Sequence, residues 1–427
     1  MMFASRRAVI CRAILLAVVG LFGSASVVCA QDADFFDNHV LHRIDLTLNS
    51  RDWAALKVNF RENEYYPSDM RWQGQVVRNL GIRSRGGGSR SDRKPGLRVD
   101  IDRYATDQTF LGMKSFILDN MTQDPSGMHE RIAMQLFAMM GLPAPREAHA
   151  QLFVNGTYEG LYAIVESIDK NFLRRVFGGN SVGVENDGFL FQYRWVRPWY
   201  FEHLGSNLDQ YAALLDPVTH ENASTVALYD PFEQMIRAIN SGADDQLAST
   251  AAPYLDLPLF MRFLAVQSFI AEWDGVLGYA GMNNFYLYRF ERSTRSQFIP
   301  WDDDNAFRAL DYPILPDWQL NVLVRRALNV PELRASFVDS LLTAAALATT
   351  PALPGAPGWL EQEVQFEHAL ISAAMYADTA KPFTNEDFEA GTDAMVAFAR
   401  RRSAFVRCEA GKLTGTVPAA AVCAASE

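Results

Sequence analysis

The spacing of apolar residues changes period once along this 427-residue chain, and no other feature restricts the fold as much. In the first half the period is two, the signature of half-buried strands. Leu41, Ile44, Leu46 and Leu48 interleave with polar residues. Residues 72–82 read as further strands, Leu97, Val99 and Ile101 alternate with Arg98, Asp100 and Asp102, and residues 113–118 form another short strand. Gln151-Leu152-Phe153-Val154, Asn155-Gly156 and residues 158–165 predict a hairpin, because Asn-Gly supplies the two positive-φ positions of a tight turn. Ser50 is expected to cap a short helix, and residues 126–140 form another, with Ile132, Leu136 and Met139 on one face and Gly141-Leu142-Pro143 as its stop.

Beyond residues 166–180 helical spacing takes over. Residues 231–240, 244–254 and 257–273 read as helices, the last strongly apolar. Strands are expected over 284–290 and 296–300, and helices rich in Ala, Leu and Phe from Pro316 onward. A strand-rich run followed by a helix-rich run predicts an α+β body with two lobes, over residues 31–170 and 171–405.

Residues 1–30 read as an export signal: Arg6, Arg7 and Arg12, then an apolar run over 13–22, then Val28-Cys29-Ala30 before a cut at Gln31. Ser5-Arg6-Arg7 leaves a twin-arginine route open, while Val28 is larger than a lipid-anchor motif tolerates. The expected location is periplasmic, extracellular or cell-surface. Two cysteines remain after the cut, Cys408 and Cys423, with fourteen residues between them. In an oxidising compartment they are expected to pair and tie down a tail over 406–427; two unpaired thiols are the alternative. The leader carries three Arg and no acid, so the rest of the chain has a net charge of about −14. That argues against nucleic acid or anionic membrane as a general partner. No further run is long and apolar enough for a transmembrane segment.

Three stretches carry chemistry. Trp301-Asp302-Asp303-Asp304-Asn305 follows an apolar strand. Three adjacent carboxylates repel one another unless neutralised, and a divalent cation with oxygen ligands would do it. An extended backbone there would put Asp302 and Asp304 on one side and Asp303 on the other; a solvated acidic loop is the alternative. Asp274 follows a buried helix and precedes the flexible stretch 275–281 and Asn283-Asn284, where a carboxylate and an amide could hold a metal or orient a hydroxyl, or simply make a turn. Arg83-Ser84-Arg85-Gly86-Gly87-Gly88-Ser89-Arg90, followed by Lys94, is Gly-rich and cationic, as phosphate binding requires, but lacks the P-loop spacing; a flexible surface loop fits equally. His-Glu-x-x-His, Gly-x-Ser-x-Gly and Cys-x-x-Cys are absent.

Together these segments resemble the CotH family, kinases named after a bacterial spore coat protein. The resemblance covers about residues 40–400. It lies in Gly81-Ile82-Arg83-Ser84-Arg85-Gly86-Gly87, Lys94-Pro95, Phe110-Leu111-Gly112, Asn120, Asp124-Pro125-Ser126, Asn155-Gly156, Gly160-Leu161-Tyr162 and Glu166. Its most specific part is Asn284-Phe285-Tyr286-Leu287-Tyr288 followed by Ile299-Pro300-Trp301-Asp302-x-Asp304. The resemblance implies a two-lobed, atypical protein-kinase-like fold, ATP with Mg²⁺ or Mn²⁺, and phosphoryl transfer to a Ser/Thr hydroxyl of a protein substrate. It gives Lys94 to the nucleotide phosphates with Glu130 as its partner, and Arg83, Arg85 and Glu166 to nucleotide binding. Asp274 would orient the acceptor hydroxyl. Asn284, with Asn283 as its alternative, would join Asp302 and Asp304 at the metal. Two features depart from ordinary kinases: no Asp-Phe-Gly occurs, and Asp274 stands nine or ten residues before the Asn pair. The competing functions are a non-catalytic surface, coat or adhesion protein on the same scaffold, and a metal-dependent hydrolase using the same carboxylates.

Overall fold

The computed structural model describes residues 33–178 and 185–424, so the expected leader lies outside the described residues. In the first half the alternating segments form β1 (His42–Thr47), β2 (Tyr66–Trp72), β3 (Gln75–Arg85), β4 (Gly96–Asp100), β5 (Ser115–Asp119), β6 (Glu147–Val154) and β7 (Thr157–Glu166). They close into a barrel in the order β1-β2-β3-β4-β5-β7-β6. All neighbours are antiparallel except β1 and β6, which run parallel with Ile44 opposite Leu152. Alternation foretold the strands but not the closure, which removes the free edges an open sheet would expose. Ile44, Leu46, Ile82, Leu97, Val99, Phe116, Leu118 and Ile164 fill the interior, all buried. Phe35 plugs it, edge-on to Trp72, Phe110 and Phe116 at 5.1–5.2 Å.

To this half belong α1 (Ser50–Val58), α2 (His129–Met139) and α3 (Lys170–Phe177). The cap of α1 is Asn49, not Ser50; the Asn49 side chain accepts the Arg51 N–H. The acid that starts α2 is Asp124, whose carboxylate accepts the backbone N–H groups of Ser126, Met128 and His129.

The second half holds a four-stranded antiparallel sheet, β11-β10-β8-β9, from β8 (Phe189–Tyr193), β9 (Leu215–Pro217), β10 (Phe285–Arg289) and β11 (Ser296–Pro300). Around it pack α4 (Thr225–Asn240), α5 (Leu257–Ile270), α6 (Val322–Asn329), α7 (Pro331–Thr349), α8 (Trp359–Ala377) and α9 (Asn385–Thr414). Helix α5 stops before Trp273, because Ala271 turns left-handed (φ 56°) and the Glu272 N–H returns to the Gln267 carbonyl. Strand β10 begins one residue late for a similar reason, with Asn284 at φ 56°. The expected helix 244–254 shrinks to a 3₁₀ turn and Leu247–Ala251. Cys408 and Cys423 form a disulfide that folds the tail back onto α9.

The architecture is thus mixed α/β, with one core inside the barrel and a second that runs through the helical half. Helix α2 and the outward face of the barrel (Ile117, Ala163, Val165) share one core with the helices of the second half, and Phe137 of α2 meets Phe263 of α5 at 5.3 Å. Ionic ties to α8 and the loop after it add to this. Arg131 and His149 both bind Glu367, and Lys94 binds Asp378.

Candidate active site at the acidic end of β11

Strand β11 delivers Trp301 and the acidic triplet to the seam between the barrel and the helical half. The backbone there is not extended. Asp302 is left-handed (φ 59°) and Asp303–Asn305 makes a 3₁₀ turn. The side chains still divide as expected, for a different reason. Asp303 is wholly buried on the α5 side, where Gln267 Nε2 donates to it at 3.3 Å. Asp302 and Asp304 face the barrel instead, within the field of Asp119 at the end of β5. Helix α2 pins the turn: Glu130 Oε1 accepts the Asp302 N–H at 3.0 Å, and His129 Nδ1 lies 2.9 Å from the Asp304 carbonyl.

The two asparagines take different partners. Asn283 Nδ2 donates to Asp274 Oδ2 at 3.1 Å, and Asn284 Nδ2 donates to the Asp302 carbonyl at 3.0 Å. Asp274 lies close enough to Asp302 and Asp303 to raise the proton affinity of both. Asn284 thus touches the acidic turn directly, and Asp274 lies within electrostatic reach of Asp302 and Asp303.

Opposite them stands a face of arginines. Arg83 on β3 pairs with Arg98 on β4, and Arg85 lies two residues on along the same face of the sheet. Arg85 donates to Asp119 at 2.6 Å and lies 5.7 Å from the Trp301 ring. Both Arg85 and Arg98 lower the proton affinity of the buried Tyr286 hydroxyl, against the larger effect of burial. Arg83 is turned outward to Asn63 and the Tyr65 ring.

Lys94 and Glu166 meet other partners than those the resemblance implies. Lys94 does not pair with Glu130. Its ammonium is 1 % exposed, lies 2.7 Å from Asp378 and sits over the Tyr162 ring. Burial lowers its pKa, with Asp378 opposing. Such an ammonium has no surface left for a phosphate. Glu166 is not at the seam either: Arg146 and Arg175 occupy both its oxygens, tying the end of β7 to α3. In both cases the sequence showed a charge but not the distant charge that would claim it.

The carboxylates crowd one another. Burial first, then mutual repulsion, raises Glu130, Glu147, Glu272, Asp303 and Asp304 well above the usual carboxyl range, and Asp302 to about 6. Glu147 Oε1, Glu272 Oε2 and Asp303 Oδ2 are buried with no hydrogen-bond partner among the described residues. Sequence reading missed Asp119, Glu147 and Arg98; the one available signal was a lone acid opening or closing an otherwise apolar strand. Among the described residues no three His, Cys, Asp or Glu side chains are arranged as a ready metal cage. Mg²⁺ does not need one, since it is commonly held by one or two carboxylates together with substrate phosphates and water. The oxygen donors of Asp302 and Asp304 fit that chemistry.

Residues 82–406, most of the chain, match the family model described as CotH kinase protein. The inner spore coat protein H of Bacillus subtilis (strain 168) is 24 % identical over 374 residues, covering 85 % of this chain and 95 % of that protein. Invasin CotH2 of Rhizopus delemar is 26 % identical over 207 residues, covering 46 % of this chain and 33 % of the invasin. Among solved structures, a Helicobacter pylori proinflammatory kinase, CtkA, aligns over 78 % of this chain and 94 % of its own at 10 % identity, with a TM-score of 0.29, too low to carry weight. The family match spans the acidic turn and the arginine face, and by it this chain belongs to the CotH kinase protein family.

Proposed function

We propose that this protein is an exported atypical kinase that transfers the γ-phosphoryl group of ATP to a Ser or Thr hydroxyl of a protein. What supports the reading is the hydrogen bond from Asn284 to the acidic turn, with Asp274 in electrostatic reach of Asp302 and Arg85 beside Trp301. Phosphoryl transfer asks a protein for positioning and charge neutralisation more than for covalent chemistry. Asp302 and Asp304, with Asn284 holding the backbone between β11 and the turn, would bind Mg²⁺ or Mn²⁺. A bound cation would neutralise charge on the triphosphate. Arg85 and Arg98 take over the phosphate contacts that the resemblance gave to Lys94.

Asp274 orients the acceptor hydroxyl and receives its proton. Burial raises its pKa, against the Asn283 amide and Arg308, which favour the ionised form that accepts a proton. In the transfer a bond forms between the hydroxyl oxygen and Pγ, the bond from Pγ to the bridging oxygen breaks, and ADP departs with that electron pair. The names of the relatives, a spore coat protein and an invasin, support a coat or surface location.

The same names favour a second reading, a non-catalytic surface protein on this scaffold. Incubating the chain with labelled ATP and Mg²⁺ or Mn²⁺, with casein or itself as acceptor, separates the two. Transfer that disappears in folded Asp302→Asn and Asp304→Asn variants supports the kinase. Failure to transfer, with no nucleotide-dependent rise in melting temperature, supports the scaffold.

A further inference from the structure

Beside the carboxylates lies a surface of exposed side chains whose contact with a substrate is not yet assigned. Phe307 is fixed by a left-handed backbone (φ 60°) and by its N–H on the Ile270 carbonyl at 2.7 Å. That hold projects the next residue, the exposed Arg308, over Trp273, with the guanidinium carbon 5.1 Å from the ring centroid. One nitrogen of Arg308 donates to the Gln123 carbonyl at 3.3 Å; among the described residues no carboxylate bonds it. Trp273 is itself 38 % exposed and lies 5.1 Å from the ring of Tyr279, which is 68 % exposed. Trp273 is the residue immediately before Asp274. A cavity of about 600 Å³ continues from Arg308 along Phe307, Leu310, Asp311 and Arg401 to the disulfide-held tail at Cys423.

We propose that this surface docks the acceptor polypeptide and selects one with acidic side chains flanking the hydroxyl. The inference rests on the kinase reading of Asp274. Charge complementarity supplies the argument. The chain carries a net charge of −11, so an exposed arginine and a partly apolar groove beside the acidic turn are not the background of the surface. Of the charged residues lining the cavity, Arg308 and Arg401 outnumber Asp311. Arg308 lies over Trp273, the chain neighbour of Asp274, so a side chain held by its guanidinium would put a neighbouring hydroxyl close to Asp274. The exposed rings offer flat apolar faces to the peptide backbone and to aromatic or aliphatic neighbours.

The test is transfer from ATP with Mg²⁺ to Ser-centred peptides whose flanking positions carry Glu, Gln or Lys, alongside anisotropy of the fluorescein-labelled Glu and Lys peptides without ATP. The wild-type chain is expected to favour Glu over Lys by about tenfold or more in kcat/KM, the effect of one well-placed charge pair. Arg308→Gln should abolish the preference and Arg308→Glu should reverse it, both with an unchanged melting temperature, since Arg308 is exposed. Equal loss of transfer to all three peptides in Arg308→Gln would mean that the guanidinium serves the phosphoryl group, and would overturn the docking role. So would a Glu preference that survives Arg308→Glu. If no peptide is phosphorylated but anisotropy shows the same charge selection and its reversal, docking stands and the kinase reading falls. If neither assay shows selection, docking is wrong.

Discussion

Replacing Lys94 by methionine removes an ammonium from one of the most buried ion pairs in the protein, and the surroundings of the carboxylate left behind set the cost. Lys94 Nζ and Asp378 Oδ2 lie 2.7 Å apart with side chains 1 % and 0 % exposed. At an effective dielectric constant of about 20 their attraction is on the order of 6 kcal/mol, much of it offset by the desolvation of both groups. Loss of one partner is the costly event, typically about 3–5 kcal/mol, because the other is left buried and unpaired. Here the two partners differ. Asp378 also accepts the N–H groups of Leu161, Ala380 and Lys381, so Lys94→Met leaves a carboxylate that is still hydrogen-bonded and should cost about 3 kcal/mol. Asp378→Leu strands Lys94 and three N–H donors together and should cost about 5 kcal/mol or more. These correspond to melting-temperature losses of about 4–6 °C for a chain of this length. Thermal unfolding followed by circular dichroism measures the loss, and ATP titration of the folded variants at low temperature measures the site. The expectation is large destabilisation by Lys94→Met with nucleotide affinity kept. Unchanged stability together with lost nucleotide binding would show Lys94 to be the phosphate ligand after all, and the structural role argued for it would be wrong.

The same packing and charges fix two further outcomes. Asp302 titrates near 6, raised first by burial and then by Asp119 and Asp274, with Arg85 opposing. An unfolded Asp titrates near 4, so between about pH 4 and 6 the folded chain holds the extra proton and metal-free stability falls as pH rises, by up to about 3 kcal/mol from this group. Asp302→Asn should flatten that part of the stability curve, and saturating Mg²⁺ should raise the wild-type melting temperature more near pH 7.5 than near pH 4.5; a metal effect independent of pH contradicts the assignment. Gly160 lets the Asp378 loop approach β7: a Cβ there would stand 2.5 Å from Asp378 Oδ2, at a φ of +130°. Gly160→Ala should therefore destabilise by about 2–4 kcal/mol in denaturant unfolding, and a change below about 0.5 kcal/mol would show that the loop yields freely.

The sequence by itself determined the kinds of element and where the chemistry would concentrate. The Asn155-Gly156 hairpin, the apolar strand before Trp301 and the apolar stretch before Asp274 are written in residues a few positions apart, where backbone preference and side-chain period act directly. Asp302, Asp304, Asp274 and the Asn pair could be marked for the same reason: three adjacent acids are a local anomaly. Only the tertiary structure decided what each charge meets. The barrel closes because β1 finds β6 across a hundred residues of chain, Lys94 finds Asp378 across a longer stretch still, and Glu166 finds two arginines. Glu147 opens an ordinary strand, and nothing near it in sequence says that it lines the cavity beside Asp304. An ionised side chain's role depends on its burial and on the nearest opposite charge, and both are set by which distant surfaces come together when the barrel packs against the helices.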